Sequence, residues 1–318
     1  MSKRHPFLVV LQAAVLACGV VFAAHAAEEN KPGARDVIFK GDAKCTGCHD
    51  ENDNAPVFAI GKTKHGVAAD GRNIGCVGCH GESKLHAENP QGLKDRPKVD
   101  RGFLKNTTTP VEERNAACLG CHEGGNRMHW ASSQHASSDI ACTSCHQVHT
   151  QHDKVRDKAK QGEVCFECHK QQRAESLRAS HHPIKEGKVA CSNCHNPHGS
   201  TGPKLLARNT VVETCYTCHA EKRGPFLWEH PPAGDNCLNC HSPHGSNHPT
   251  LLKAKPPYLC QQCHDWNQHP GNVYSGAQLP AAVGVAGNAG QQLVLRACLN
   301  CHTQVHGSNH PSGSRNTR

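Results

Sequence analysis

One apolar run stands out along the chain, Phe7 to Ala24, about 18 residues in which Gln12 and Gly19 are the main interruptions. Beyond it no alternation of apolar and polar positions lasts long enough to build a sheet. The pattern predicts only short helical segments, among them Asp153 to Lys160 and Gln171 to Ala179, separated by coil. Turn-forming residues punctuate the rest. Asn89-Pro90-Gln91-Gly92 and Arg101 to Pro110 read as linkers, and Gly276 to Gln292 is an Ala/Gly-rich connection.

Composition makes this sparse pattern a problem of folding. Leu, Ile, Val and Phe together number 53 of 318 residues, or 17%, below the roughly 20% under which chains usually stay disordered. Aromatic residues are 4% and mean hydropathy is −0.62, so the side chains do not furnish the core of two ordinary domains. Another source of apolar bulk is required. The formal charge of +8 comes from 35 basic and 27 acidic residues that are interspersed. No clustered basic patch is legible, which excludes a nucleic-acid binder.

The apolar run reads as an export signal. Lys3, Arg4 and His5 precede it and Ala24-His25-Ala26 offers a small-residue cleavage site, so residues 1–26 are expected to be removed. Two other readings compete, an uncleaved anchor and a lipoprotein acylated at Cys18. Mild hydrophobicity disfavours the anchor, and Gly19-Val20-Val21-Phe22, which prolong the run past the cysteine, disfavour the lipoprotein.

All twenty remaining cysteines fall in CxxCH pentads. The pairs are Cys45 and Cys48, Cys76 and Cys79, Cys118 and Cys121, Cys142 and Cys145, Cys165 and Cys168, Cys191 and Cys194, Cys215 and Cys218, Cys237 and Cys240, Cys260 and Cys263, and Cys298 and Cys301. The histidines that close them are His49, His80, His122, His146, His169, His195, His219, His241, His264 and His302. A disulfide framework gives no reason for a histidine after every second cysteine, and zinc half-sites do not repeat in this form. On one helical turn, positions i, i+3 and i+4 share a face, so two thiols can bond the vinyl carbons of a haem while the imidazole reaches its iron. Ten covalently attached haem c groups are expected.

Fifteen other histidines and a single methionine, Met128, remain after the leader. Grouping the pentads in twos reveals an order: the second of each pair has one histidine upstream and one shortly after it. His65 and His86 flank the first such pentad, His135 and His149 the next, then His182 and His198, His230 and His244, and finally His269 and His306. These ten supply one further ligand for each iron. His181 adjoins His182 and competes with it, and His310 competes with His306. Cys237 to Pro249 recurs as Cys298 to Pro311 with one residue added, which aligns His306 with His244. Two imidazoles per iron leave no open coordination position and give a lower potential than a methionine ligand, a centre suited to electron transfer at the reducing end of the haem range.

Pentad starts are separated by 31, 42, 24, 23, 26, 24, 22, 23 and 38 residues. This is the spacing of an array. The expected fold is a multihaem cytochrome c, mostly irregular coil with short α-helices and negligible β structure, elongated as a haem wire of dihaem repeats. It divides into a segment 27–44, an N-terminal pentahaem half 45–169, a C-terminal pentahaem half 170–302 and a tail 303–318. A compact chain of this length would be roughly 50 Å across, barely more than the roughly 40–45 Å of a bilayer with headgroups. Ten haems in a row would be longer, and their polar chain would need a protein sheath to cross lipid.

Several segments resemble the MtrA/DmsE family of periplasmic decahaem c-type cytochromes. They include Arg127-Met128 to His135, Ala141-Cys-Thr-Ser-Cys-His-Gln-Val-His149, Cys215 to His230, and the closing Cys-Leu-Asn-Cys-His with Val-His-Gly-Ser-Asn-His-Pro-Ser-Gly. The resemblance runs from about Lys44 to the C-terminus and places histidines at the ten chosen positions, His182 and His306 among them. It implies an electron conduit seated in an outer-membrane β-barrel porin. Such a conduit passes electrons between periplasmic or inner-membrane cytochromes and an extracellular cytochrome or mineral, in metal reduction or Fe(II) oxidation. The competing functions are a soluble periplasmic shuttle and a multihaem reductase, which needs one open haem; catalytic activity is not expected here. The haems also reverse the charge. Loss of Lys3 and Arg4 leaves +6, and ten bis-His haems with ionised propionates bring the total to about −4 oxidised and about −14 reduced.

Overall fold

Each CxxCH pentad closes a helical turn of its own. The histidine N–H donates to the carbonyl of the first cysteine four residues earlier, at 2.8–3.0 Å in eight pentads, while His80 and His122 end the α-helices Gly75–His80 and Val111–His122. These facts come from a computed structural model that describes residues 41–50, 52–53, 56–67, 71–72, 75–264 and 298–316. The expected leader, Gly276 to Gln292 and His269 lie outside the described residues.

Between pentads the described chain is coil with helices of twelve residues or fewer. Its only β pairing is four isolated bridges, and no helix among the described residues is long and apolar enough to cross a membrane. The longest helix, Val111–His122, follows Pro110 and carries Glu112 and Glu113 in its first turn, where negative charge is favoured by the helix dipole. That start signal is legible in the sequence, although the apolar pattern alone does not reveal the helix.

Two expected helices are shorter than the pattern predicts. Asp153 to Lys160 contains only a 3₁₀ turn at Lys154–Arg156, and α structure resumes at Gln161–Cys165. Asp157 is extended and its side chain accepts from the Ala159 N–H at 3.0 Å, a local bond that competes with the helix. Gln171 to Ala179 becomes Lys170–Glu175, stopped where Ser176 Oγ donates back to the Arg173 carbonyl at 2.8 Å.

Polar side chains occupy the places a hydrophobic core would fill. Among the described residues the buried hydrophobics are Ala141 and Ala190 alone, whereas Asp42, Asn115 and Gln161 are buried. Each of these three sits just before an odd-numbered pentad and accepts an N–H at the start of the following one. Cys76 N–H donates to Asp42 Oδ1 at 3.1 Å, Cys142 N–H to Asn115 Oδ1 at 2.8 Å and Ser192 N–H to Gln161 Oε1 at 2.8 Å. Asp42 also explains Gly75, which has φ +64 and whose Cβ would lie 2.7 Å from Asp42 Oδ1; both the left-handed backbone and the space require glycine.

Candidate haem-binding sites

The sulfur atoms set the order of the pentads in space. All twenty pentad cysteines are free thiols, so a disulfide framework has no counterpart among them. The first cysteines of each pair are neighbours that perturb one another's ionisation: Cys45 with Cys76, Cys118 with Cys142, Cys165 with Cys191, Cys215 with Cys237, and Cys260 with Cys298. Between pairs the second cysteine of one pentad perturbs the ionisation of, or is perturbed by, cysteines of the next, Cys79 with Cys118 and Cys121, Cys145 with Cys168, Cys194 with Cys218, and Cys240 with Cys263. All nine successive junctions are thereby accounted for. The pentads run in series, in chain order, with the two kinds of junction alternating.

Two cysteines of the expected set, Cys48 and Cys301, depart from this scheme. They fall at no junction between pairs, and both are exposed, as are Cys121, Cys145, Cys168, Cys194, Cys218 and Cys263. The reason is their place in the series: they belong to the first and last pentads, each of which has a neighbour on one side only. What positions them is the local turn. The Cys48 N–H donates to the Cys45 carbonyl and the Cys301 N–H to the Cys298 carbonyl, both at 3.1 Å. Each thiol therefore keeps the same backbone relation to its first cysteine that Cys145 and Cys168 keep at 3.2 and 3.3 Å.

Nine of the ten proximal imidazoles face a second imidazole across a gap. The ring centres are 6.1 Å apart for His49 and His86, 6.2 Å for His80 and His149, 5.9 Å for His122 and His65, 6.0 Å for His146 and His198, and 6.1 Å for His169 and His135. Farther along, His195 faces His244 at 6.1 Å, His219 faces His182 at 6.3 Å, His241 faces His306 at 6.2 Å and His264 faces His230 at 6.0 Å. Two imidazoles bound to one metal at about 2.0–2.1 Å through Nε2, with each ring centre about 1.1 Å behind its nitrogen, stand roughly 6.3 Å apart. The gap fits one iron, and the missing core fits the macrocycle around it.

Hydrogen bonds orient these rings. Among the proximal histidines, Nδ1 donates to the carbonyls of Arg101 from His80 at 3.1 Å, Lys204 from His195 at 3.0 Å, Thr250 from His241 at 2.8 Å and Arg315 from His302 at 2.6 Å. Among the others, His86 donates to Pro97 at 2.7 Å, His135 to Pro197 at 2.8 Å, His182 to Pro243 at 2.7 Å and His230 to Val305 at 2.8 Å. An Nδ1–H so engaged leaves Nε2 with a free lone pair, the form a metal ligand needs. Burial lowers the pKa of His80, His149, His195, His198 and His306.

The facing pairs cross module boundaries. The histidine after one even-numbered pentad faces the previous even-numbered pentad, as His149, His198, His244 and His306 face His80, His146, His195 and His241. The upstream histidine faces the following odd-numbered pentad, as His65, His135, His182 and His230 face His122, His169, His219 and His264. Backbone bridges fasten the same overlaps: Ser180 pairs with Ser246 and Trp228 with Ser308, each residue two positions from a facing histidine. At the N-terminal end His86 faces His49. His269 lies outside the described residues, so the ring expected to face His302 is undescribed.

The adjacent candidates separate cleanly. His182 faces His219, whereas His181 donates Nδ1 to the Arg178 carbonyl at 2.6 Å and turns Nε2 toward Glu186. His306 faces His241, whereas His310 Nδ1 accepts from the Ser312 N–H at 3.2 Å.

Comparison with known proteins finds the same repeated motif. Family models for a doubled CXXCH motif match residues 181–224 and 230–269, and one for the cytochrome c-type protein NrfB-like family matches residues 76–161. The multiheme cytochrome MtrA of Shewanella baltica is 45% identical over 280 residues, which cover 86% of this chain and 80% of that protein. The chain belongs to the MtrA family of multihaem cytochromes. The cytochrome c-type protein NrfB of Escherichia coli is 31% identical over 140 residues, 42% of this chain and 67% of that protein. A high-molecular-weight cytochrome c of Nitratidesulfovibrio vulgaris is 25% identical over 211 residues, 66% of this chain and 35% of that protein. As an MtrA-family protein the chain is an electron-transfer c-type cytochrome with covalently bound haem.

Ring orientation makes a spectroscopic prediction. The facing rings are within 25° of parallel at His49, His146, His195, His241 and His264, but 68–82° apart at His80, His122 and His169. Near-parallel axial planes split the iron d orbitals more strongly than crossed ones. Low-temperature EPR of the oxidised protein is expected to show a rhombic low-spin class and a large-g, highly anisotropic class, the rhombic one integrating to more haems. A single class would contradict the ring geometry.

Proposed function

We propose that the chain binds ten haems, each through one CxxCH pentad and two histidines, and conducts electrons along them in series through an outer-membrane β-barrel. The observation that carries this reading is the set of nine imidazole pairs at 5.9–6.3 Å, strung on nine successive junctions between neighbouring pentads. The twenty cysteines of the pentads attach the macrocycles; the proximal histidines with His65, His86, His135, His149, His182, His198, His230, His244, His269 and His306 hold the irons. Cys48 and Cys301 anchor the two terminal haems, whose place at the ends of the series suits them to exchange electrons with partners. Haem supplies the one-electron carrier when bound, and saturation by two imidazoles favours electron transfer over substrate chemistry. The protein's part is to fix the rings and exclude water.

The chain spans most of an MtrA-type relative, which supports a porin partner, an outer-membrane site reached from the periplasm, and an extracellular cytochrome or mineral at the far end. A barrel would supply the closed, lipid-facing sheath that a polar wire lacks. Solubilised outer membranes from cells expressing the tagged chain should yield it together with a barrel protein, with an intact mass that exceeds the mature polypeptide by ten haems. Recovery from the soluble periplasm alone, or a smaller haem count, would contradict the conduit.

A further inference from the structure

Four proximal imidazoles donate Nδ1–H to a backbone carbonyl, whereas His49, His146 and His219 have a carboxylate beside Nδ1, and the fourth pentad holds the shortest of these pairs. His146 Nδ1 lies 2.7 Å from Asp153 Oδ2, and Asp153 Oδ1 accepts the Gln147 N–H at 3.3 Å. The carboxylate is thereby clamped on both oxygens, with its side chain only 13% exposed. The nearest basic neighbour in sequence, Lys154, is turned to Glu163 at 3.6 Å. His49 has a similar partner in Asp53 at 2.9 Å, but that carboxylate is 40% exposed, so water screens it more. Asp153 is also the residue whose commitment to His146 accompanies the break in the helix expected over Asp153 to Lys160.

We propose that Asp153 is a positioning residue that lowers the reduction potential of the fourth haem through His146. This rests on the reading that His146 and His198 hold an iron between them. A carboxylate acceptor draws the Nδ1 proton, makes the imidazole a stronger donor and places negative charge near the iron; all three favour the ferric state. The electron that reduces this haem meets more resistance than at haems whose histidines donate to carbonyls. Because the pentads run in series, every electron passes this step, which divides the wire into three haems before it and six after. Asp53 has the same effect on the first haem, weakened by exposure.

The test is a spectropotentiometric titration of the full-length holoprotein and its Asp153→Asn variant, with Glu163→Gln as a control for loss of a nearby exposed charge. Asparagine keeps an acceptor oxygen but removes the charge. In Asp153→Asn about one-tenth of the haem absorbance change is expected to move from the low-potential end to more positive potential, the other nine-tenths staying in place. Asp53→Asn should move a similar fraction by less, and Glu163→Gln should superimpose on the parent. Asp153→Glu, which restores the charge, should return the fraction toward low potential. A curve for Asp153→Asn that superimposes on the parent, with ten low-spin haems retained, would overturn the proposal. Conversion of one haem to high spin without a shift would also overturn it, by showing that Asp153 merely supports the ring. If the parent protein itself lacks ten low-spin haems, the underlying reading fails instead, and the parent spectrum distinguishes that case.

Discussion

Produced where haem is not attached, the polypeptide is expected to give a coil-like far-ultraviolet CD spectrum and no cooperative thermal transition. The reason lies in what holds the chain together. Its described interior offers Ala141 and Ala190 as buried hydrophobic side chains, whereas ordering each residue costs on the order of 1–2 kcal/mol of backbone entropy. Hydrogen bonds from Asp42, Asn115 and Gln161 are each worth about 1 kcal/mol net, too little to offset that cost across hundreds of residues. A porphyrin presents its apolar faces to every module and ties each thiol pair to an imidazole, which replaces both the core and the missing long-range links. A haemless chain that unfolds cooperatively with native-like secondary structure would contradict this.

Replacing His198 by alanine is expected to alter the iron held by His146, more than fifty residues earlier in the chain, and to leave that of nearby His195 intact. The facing ring of His198 is 6.0 Å from that of His146, while His195 faces His244. One haem in ten should become high-spin and, when reduced, bind carbon monoxide; no comparable change should follow His181→Ala. Identity can be fixed genetically. Adding Cys142→Ser and Cys145→Ser to His198→Ala removes the fourth haem and should abolish the high-spin signal, whereas removing the thiols of Cys191 and Cys194 should not. The opposite result would place His198 on its own pentad and contradict the interlocked arrangement.

The pentads are fully legible in the sequence because covalent attachment demands fixed residue types at fixed spacing. What spacing does not show is which thiols become neighbours: first cysteines such as Cys118 and Cys142 lie together within a pair, whereas second cysteines such as Cys145 and Cys168 lie near each other between pairs. Nine of the ten further histidines face a proximal ring and are legible because they recur in register with the pentads; the internal repeat favours His306 over His310, while the family resemblance favours His182 over its neighbour His181. Which ring faces which is not legible. Sequence places His198 three residues after His195, yet three residues span about 10 Å at most, too little to leave one side of a macrocycle, pass its rim and return to the iron. The second ring must come from elsewhere in the chain, and only three-dimensional overlap of modules shows where. Helix ends are poorly legible for a related reason. Asp153, Asp157 and Ser176 look compatible with short helices, but their side chains are spent on His146, Ala159 and Arg173, and local hydrogen bonds override weak propensities.

The pairing of ten irons with twenty imidazoles is the claim on which the conduit rests. Near-infrared magnetic circular dichroism of the intact oxidised protein tests it most directly, since low-spin iron with two imidazoles has its own charge-transfer band, distinct from methionine-ligated and high-spin iron. The account predicts a band intensity equal to ten bis-histidine haems per chain and no high-spin feature. An intensity short of ten accompanied by a high-spin band would mean an open iron, and with it a catalytic site in place of an unbroken wire.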